Sequence, residues 1–101
     1  MLCLFIGRKK MDLTQRYTIN KDRLNYRVID GETVILDLDN SHYFSLNKVG
    51  TKIWEAINKQ KGLNEILKLL KEEYQLPEKR LKNDLLTLVK DLRKEGLIRG
   101  V

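Results

Sequence analysis

The sequence predicts an α+β domain in which a three-stranded antiparallel β-meander is followed by three α-helices. Three observations predict it. An Asp30-Gly31 pair separates two apolar runs, and Asp-Gly suits the two positive-φ positions of a tight hairpin turn. The run Ile35–Ile57, ILDLDNSHYFSLNKVGTKIWEAI, reads strand, turn, strand, helix with almost no slack. Beyond it, apolar residues recur at helical rather than strand spacing.

In chain order, residues 1–16 read as a tail and residues 17–101 as one domain. Leu2–Ile6 is apolar but too short for a signal-peptide core, and its basic residues follow it instead of preceding it. Met11 is an alternative start. Leu24–Ile29 (LNYRVI) is the first strand, with Leu24, Tyr26 and Val28 set against Asn25, Arg27 and Ile29. Thr33–Leu38 is the return strand. Alternation puts Asp37 and Asp39 on one face and Leu36 and Leu38 on the other, and the two carboxylates read as a solvated polar face. Asn40-Ser41 makes a turn, and His42–Leu46 is the third strand, with Phe44 and Leu46 on one face and Tyr43 and Ser45 on the other. In a meander the second strand is central, so the third has a free edge unless a later strand covers it. No later strand is evident.

Asn47 caps the first helix, about Lys48–Lys59, whose stripe is Val49, Ile53, Ala56 and Ile57 with Trp54 beside it. Gly62 is read as the left-handed end of that helix. The second helix, about Asn64–Tyr74, shows one face of Leu63, Ile66, Leu67, Leu70 and Tyr74. Pro77 suits the first position of a third helix that runs to about Glu95 and stops at Gly96, after which Leu97-Ile98 returns to the core. At about 100° per residue, Leu81, Leu88 and Leu92 lie within about 60° of Leu85 on one side, while Val89 lies about 40° and Leu86 about 100° to the other. That apolar arc of about 160° exceeds the roughly 100° that one-sided packing needs. Its Leu86–Val89 flank, bordered by Lys82 and Arg93, either packs within the chain or lines an apolar groove with a basic rim.

Composition excludes much. With 42% hydrophobic residues, one Pro and six Gly, this is not a disordered chain. The single cysteine, Cys3, precludes an internal disulfide and fits a reducing, cytoplasmic setting. No apolar run approaches the roughly 20 residues of a membrane span, so no membrane partner is expected. The net charge is +6, but residues 1–23 hold six Lys/Arg against two Asp, which leaves only +2 for the rest; a specific nucleic-acid partner is therefore not expected. His42 is the only histidine, so no His-based metal site or acid–base pair is available. There is no phosphate loop or dinucleotide fingerprint. The chain is read as non-enzymatic, with no cofactor and no metal.

The run Asp37-Leu38-Asp39-Asn40-Ser41-His42-Tyr43-Phe44-Ser45-Leu46-Asn47, then Val49-Gly50 and Ile53-Trp54, resembles the signature of the PqqD family. So do Glu65-Ile66, Tyr74, the Pro-started helix with Asp84, and Glu95-Gly96-Leu97-Ile98. The resemblance spans about Leu24–Ile98. It implies a small winged-helix-like domain acting as a peptide chaperone, or precursor-peptide recognition element. Such a domain binds the leader of a ribosomally made precursor peptide and delivers it to a maturation enzyme, either a lasso-pathway leader peptidase or a radical-SAM protein. It implies that the leader adds as a strand beside the third strand, with side chains entering a groove by the third helix; this is β-augmentation. The expected leader site is accordingly His42, Tyr43, Phe44, Ser45 and Leu46 of the strand, Leu85, Leu86 and Val89 of the helix face, and Lys82 and Arg93 at the rim. A winged-helix DNA-binding regulator is the alternative, although Lys82, Lys90 and Lys94 alternate with Asp84, Asp91 and Glu95 where a recognition helix wants a basic face. The expected assembly is a monomer or a dimer through the free strand edge.

Overall fold

The computed structural model describes residues 15–100. The expectations placed on Leu2–Ile6, Cys3 and Met11, most of the proposed tail, and residue Val101 lie outside the described residues. Eight elements follow in order: β1 (Tyr17–Ile19), β2 (Leu24–Ile29), β3 (Glu32–Asp37), β4 (Tyr43–Leu46), α1 (Lys48–Asn58), α2 (Leu63–Glu73), α3 (Glu78–Lys94) and β5 (Ile98–Gly100). β2, β3 and β4 form the predicted antiparallel meander, and the order β2-β3-β4 leaves β4 with a single neighbour.

Local chemistry sets the elements. Asp30 and Gly31 both take positive φ, 53° and 78°, as the hairpin turn between β2 and β3 demands. Asn47 Oδ1 accepts the Gly50 N–H at 2.8 Å and caps α1. Beyond the last residue of α1 and its cap Lys59, Gln60 turns left-handed at φ 57°; Gln60 N–H bonds Ile57 O and Lys61 N–H bonds Ala56 O. Gly62, expected to be the left-handed residue, is instead extended and begins α2, where its N–H bonds Glu65 Oε1 at 2.9 Å. α3 closes in the same two-bond pattern, from Gly96 to Arg93 O and from Leu97 to Leu92 O, with Gly96 at φ 75°.

The core draws on every element described so far. Tyr17, Ile19, Ile35, Trp54, Ile57, Leu63, Leu85, Val89, Leu97 and Ile98 are all buried, and Tyr26 meets Trp54 edge-on with ring centroids 5.2 Å apart. Leu97 and Ile98 do return to the core. They also open a strand that the sequence reading lacked. β5 pairs antiparallel with β1, Tyr17 opposite Gly100, and Asn20 fastens the corner through Gly96 O and Arg99. The later strand therefore exists but lies against β1, not against β4.

One face assignment is reversed. Thr33, Ile35 and Asp37 point inward with 0% exposure, while Leu38 is 56% exposed and Val34 is on the same outer side. Asp37 and Asp39 are not a solvated pair. Asp37 turns inward because Arg23 meets it with Nε at 3.1 Å and Nη2 at 2.7 Å; the paired guanidinium satisfies a carboxylate that would otherwise be excluded. Thr33 tolerates burial for a similar reason, since its hydroxyl bonds that of Thr51 on α1 at 2.7 Å.

Gly96→Ala is expected to destabilise the domain by about 1–2 kcal/mol through the left-handed backbone alone. A Cβ there would also sit 2.7 Å from Arg23 Nη1. Chemical denaturation measures the loss, and a neutral result would show that Arg23 and the α3 terminus are not locked together.

Candidate functional site

The chemistry of β4 resides in its backbone. Asp37 N–H bonds His42 O at 2.9 Å, and β4 pairs with β3 as Leu36 opposite Tyr43, Ile35 opposite Phe44 and Thr33 opposite Leu46. In an antiparallel ladder, hydrogen-bonded pairs alternate with pairs that are not. Phe44 and Leu46 thus direct their N–H and C=O groups to β3, and His42 its C=O, while Tyr43 and Ser45 aim theirs at the open edge. Among the described residues no strand covers that edge. It offers two donors and two acceptors at strand spacing, which is what an incoming extended peptide needs.

The approach to β4 is held rigidly. Ser41 takes φ 61°, its N–H bonds Asp37 O at 2.8 Å, and Asn40 Oδ1 accepts from His42 N–H at 3.0 Å. Asp37 Oδ1 also accepts the Asp39 N–H at 3.0 Å. Asp37 therefore ties Arg23 to the turn that aims β4. Its carboxyl is held below the ordinary carboxylate range, first by the hydrogen bond from Arg23, against the opposing effect of burial. At the other end of β4, the cap of Asn47 and the Thr33–Thr51 pair fix α1.

The expected site residues divide. His42, Tyr43 and Ser45 are exposed, Tyr43 at 70%. Phe44 is half-buried against the core and Leu46 is buried. On α3, Leu85 and Val89 are wholly buried, so any peptide would meet them only from beyond the surface. Leu86 is half-buried and packs at the core margin, while Lys82 is exposed. Arg93 leans over Tyr17, its guanidinium 5.8 Å from the ring centroid, and lies about 16 Å along the helix from Lys82. Those two cations do not share one rim position. α3 packs chiefly on α2 and β5, and β4 on β3 and α1.

Two hollows flank these elements. One, of about 630 Å³, is lined by Pro77, Lys79, Arg80, Lys82, Asn83 and Leu86 at the start of α3. The other, of about 380 Å³, lies between α1 and α2 over Ala56, Ile66 and Leu70, with Lys52 and Glu73 paired at 2.6 Å on its border. The sequence reading did not single out Lys79 and Arg80, which line the first hollow beside Leu86. It also missed the outer sheet face, where Val34, Leu36 and Leu38 join Tyr43. Among the described residues no group of three or more His, Cys, Asp or Glu side chains is gathered to hold a metal, and no helix is long and apolar enough to cross a membrane.

Comparison with known proteins adds the following. Residues 32–98 match the family described as coenzyme PQQ synthesis protein D (PqqD). The solved structure "TbiB1 in Complex with the TbiA(beta) Leader Peptide" is similar at 29% identity and a TM-score of 0.75, covering 81% of this chain and 94% of that one. "Lasso peptide synthetase B1 complexed with the leader peptide" is similar at 19% identity and a TM-score of 0.75, covering 83% and 98%; at that identity the likeness concerns the fold. No curated protein matches the chain.

Proposed function

This chain belongs to the PqqD family, and on that premise we propose that it is a non-catalytic recognition element for the leader segment of a ribosomally made precursor peptide. The leader adds as a fourth strand to β4. The domain, residues 17–101, presents the bound leader to a separate maturation enzyme, a lasso-pathway leader peptidase or a radical-SAM protein, and the similarity to TbiB1, solved with a leader peptide, supports the leader as partner. The observation that carries the proposal is the uncovered edge of β4, with the backbone groups of Tyr43 and Ser45 directed outward. Backbone pairing supplies sequence-tolerant affinity, and side-chain contacts near Leu86 supply selectivity.

Ser45→Pro tests this. Proline at Ser45 deletes an outward N–H and obstructs the edge without removing a bond to β3, a placement that edge strands tolerate. Titrated with the leader of the precursor encoded beside this chain's gene, Ser45→Pro is expected to keep its circular dichroism and lose at least about tenfold in affinity, one hydrogen bond to a peptide plus its steric cost. Phe44→Pro, which breaks the ladder to β3, should unfold the sheet. A folded Ser45→Pro protein that binds as tightly as the wild type would refute strand addition. Sequence-selective binding of duplex DNA at physiological salt by residues 17–101 would favour a regulator instead.

A further inference from the structure

The beginning of α3 specifies more than a generic peptide. Lys79, Lys82 and Leu86 stand at i, i+3 and i+7, which is one stripe of the helix. With Pro77, Arg80 and Asn83 they line the hollow of about 630 Å³, which thus has three cations, no carboxylate and an apolar floor. The nearby carboxylates are occupied: Glu78 holds Lys71 at 2.6 Å, and Asp84 faces Arg80 at 3.9 Å. Among the described residues neither Lys79 nor Lys82 forms an ion pair. The first turn of a helix adds positive potential. A cluster of like charges beside an apolar seat is unfavourable alone and complementary to an anionic side chain next to an apolar one.

Resting on the leader-binding reading, we infer that the leader taken by this chain carries an acidic residue beside a bulky apolar residue, the apolar side chain seated on Leu86 and the carboxylate between Lys79 and Lys82. Charge complementarity supports this occupant, because the lining of the hollow holds three cations and no carboxylate around Leu86. The acidic residue fixes register: backbone pairing to a short edge allows slippage, and a single charge contact outside that pairing removes it.

The probe is a random-peptide display library selected on the intact protein. Wild type is expected to enrich peptides with Asp or Glu at a constant offset from a large apolar residue. Selection on the double variant Lys79→Glu/Lys82→Glu should shift that position to Lys or Arg. A wild-type-selected acidic peptide should lose about tenfold or more in affinity for the double variant, and its binding should weaken with added salt. Lys59→Glu/Lys68→Glu removes the same net charge elsewhere and should leave affinity unchanged. If the two double variants weaken binding equally, or if enriched peptides show no charge preference while Ser45→Pro still blocks them, the acidic subsite is overturned and the leader reading stands. If nothing is enriched that Ser45→Pro abolishes, the leader reading itself fails.

Discussion

Asp37→Ala is expected to lower the thermal midpoint by about 5–10 °C, because it removes the buried acceptor of two guanidinium bonds and one backbone N–H while Arg23, about one-third exposed, stays in reach of water. The carboxylate does two tasks at once. It receives Arg23, which otherwise reaches the exposed Asp39 carboxylate and Glu95 O, each at 3.4 Å, and it holds the Asp39 N–H of the turn before β4. Asp37→Asn keeps the size and removes the charge, so it reports the ionic part. Because the folded state holds this carboxyl below its ordinary range, its contribution is complete above the unfolded carboxylate pKa and is lost as pH falls through the folded value. Melting curves should therefore show stability falling as pH drops through and below the ordinary carboxylate range, with a shallower fall in Asp37→Asn. Glu65 and Glu78, lowered by the Gly62 N–H and by Lys71, retain the remaining slope. An unchanged slope in Asp37→Asn would show that the Arg23 contact contributes nothing to folding.

Leu86→Asp is the second large effect, and it acts on binding. A carboxylate at the half-buried Leu86 replaces the apolar seat and, one turn from Lys82, also occupies a neighbouring cation, a loss expected to cost about 3 kcal/mol, or roughly a hundredfold in affinity. The fold should lose much less, since the Leu86 position is already partly in water. Leu85→Asp is the contrast. Leu85 has 0% exposure, and a charge there should unfold the domain as seen by circular dichroism. Titration of the leader against a folded Leu86→Asp protein decides the matter; wild-type affinity would remove Leu86 from the site.

The meander and the helices were legible because their signals are local. Asp30-Gly31, Asn47 and Gly96 each satisfy a backbone requirement within a few residues, and the stripes of α1 and α2 bury what their periods say they should. The failures were nonlocal. Nothing within VILDLD says that Asp37 is the inward residue, since the reason is Arg23, fourteen positions earlier. Ordinary alternation favoured the leucines, yet Ile35 and the two polar residues flanking it on that face went in. β5 was missed because three residues carry little period, and its partner β1 lies at the opposite end of the chain. The arc of α3 was measured correctly, but the angle could not separate Val89, which the core absorbs, from Leu86, which stays at the margin. Helical angle likewise says nothing of length, so it did not show that Lys82 and Arg93 border the flank about 16 Å apart along the axis.

The β1–β5 ribbon has a consequence for architecture. Tyr17 and Gly100 stand opposite each other, so the chain enters and leaves the domain at one place. A second domain joined through either end would depart from the same point, and the reach of its tether would depend on linker length and stiffness rather than on which end carries it. Rearranging the order of the polypeptide, by bridging those ends and opening a turn elsewhere, would leave every contact of the β4 edge in place. The open β4 edge is thus independent of how the chain is wired into a larger protein.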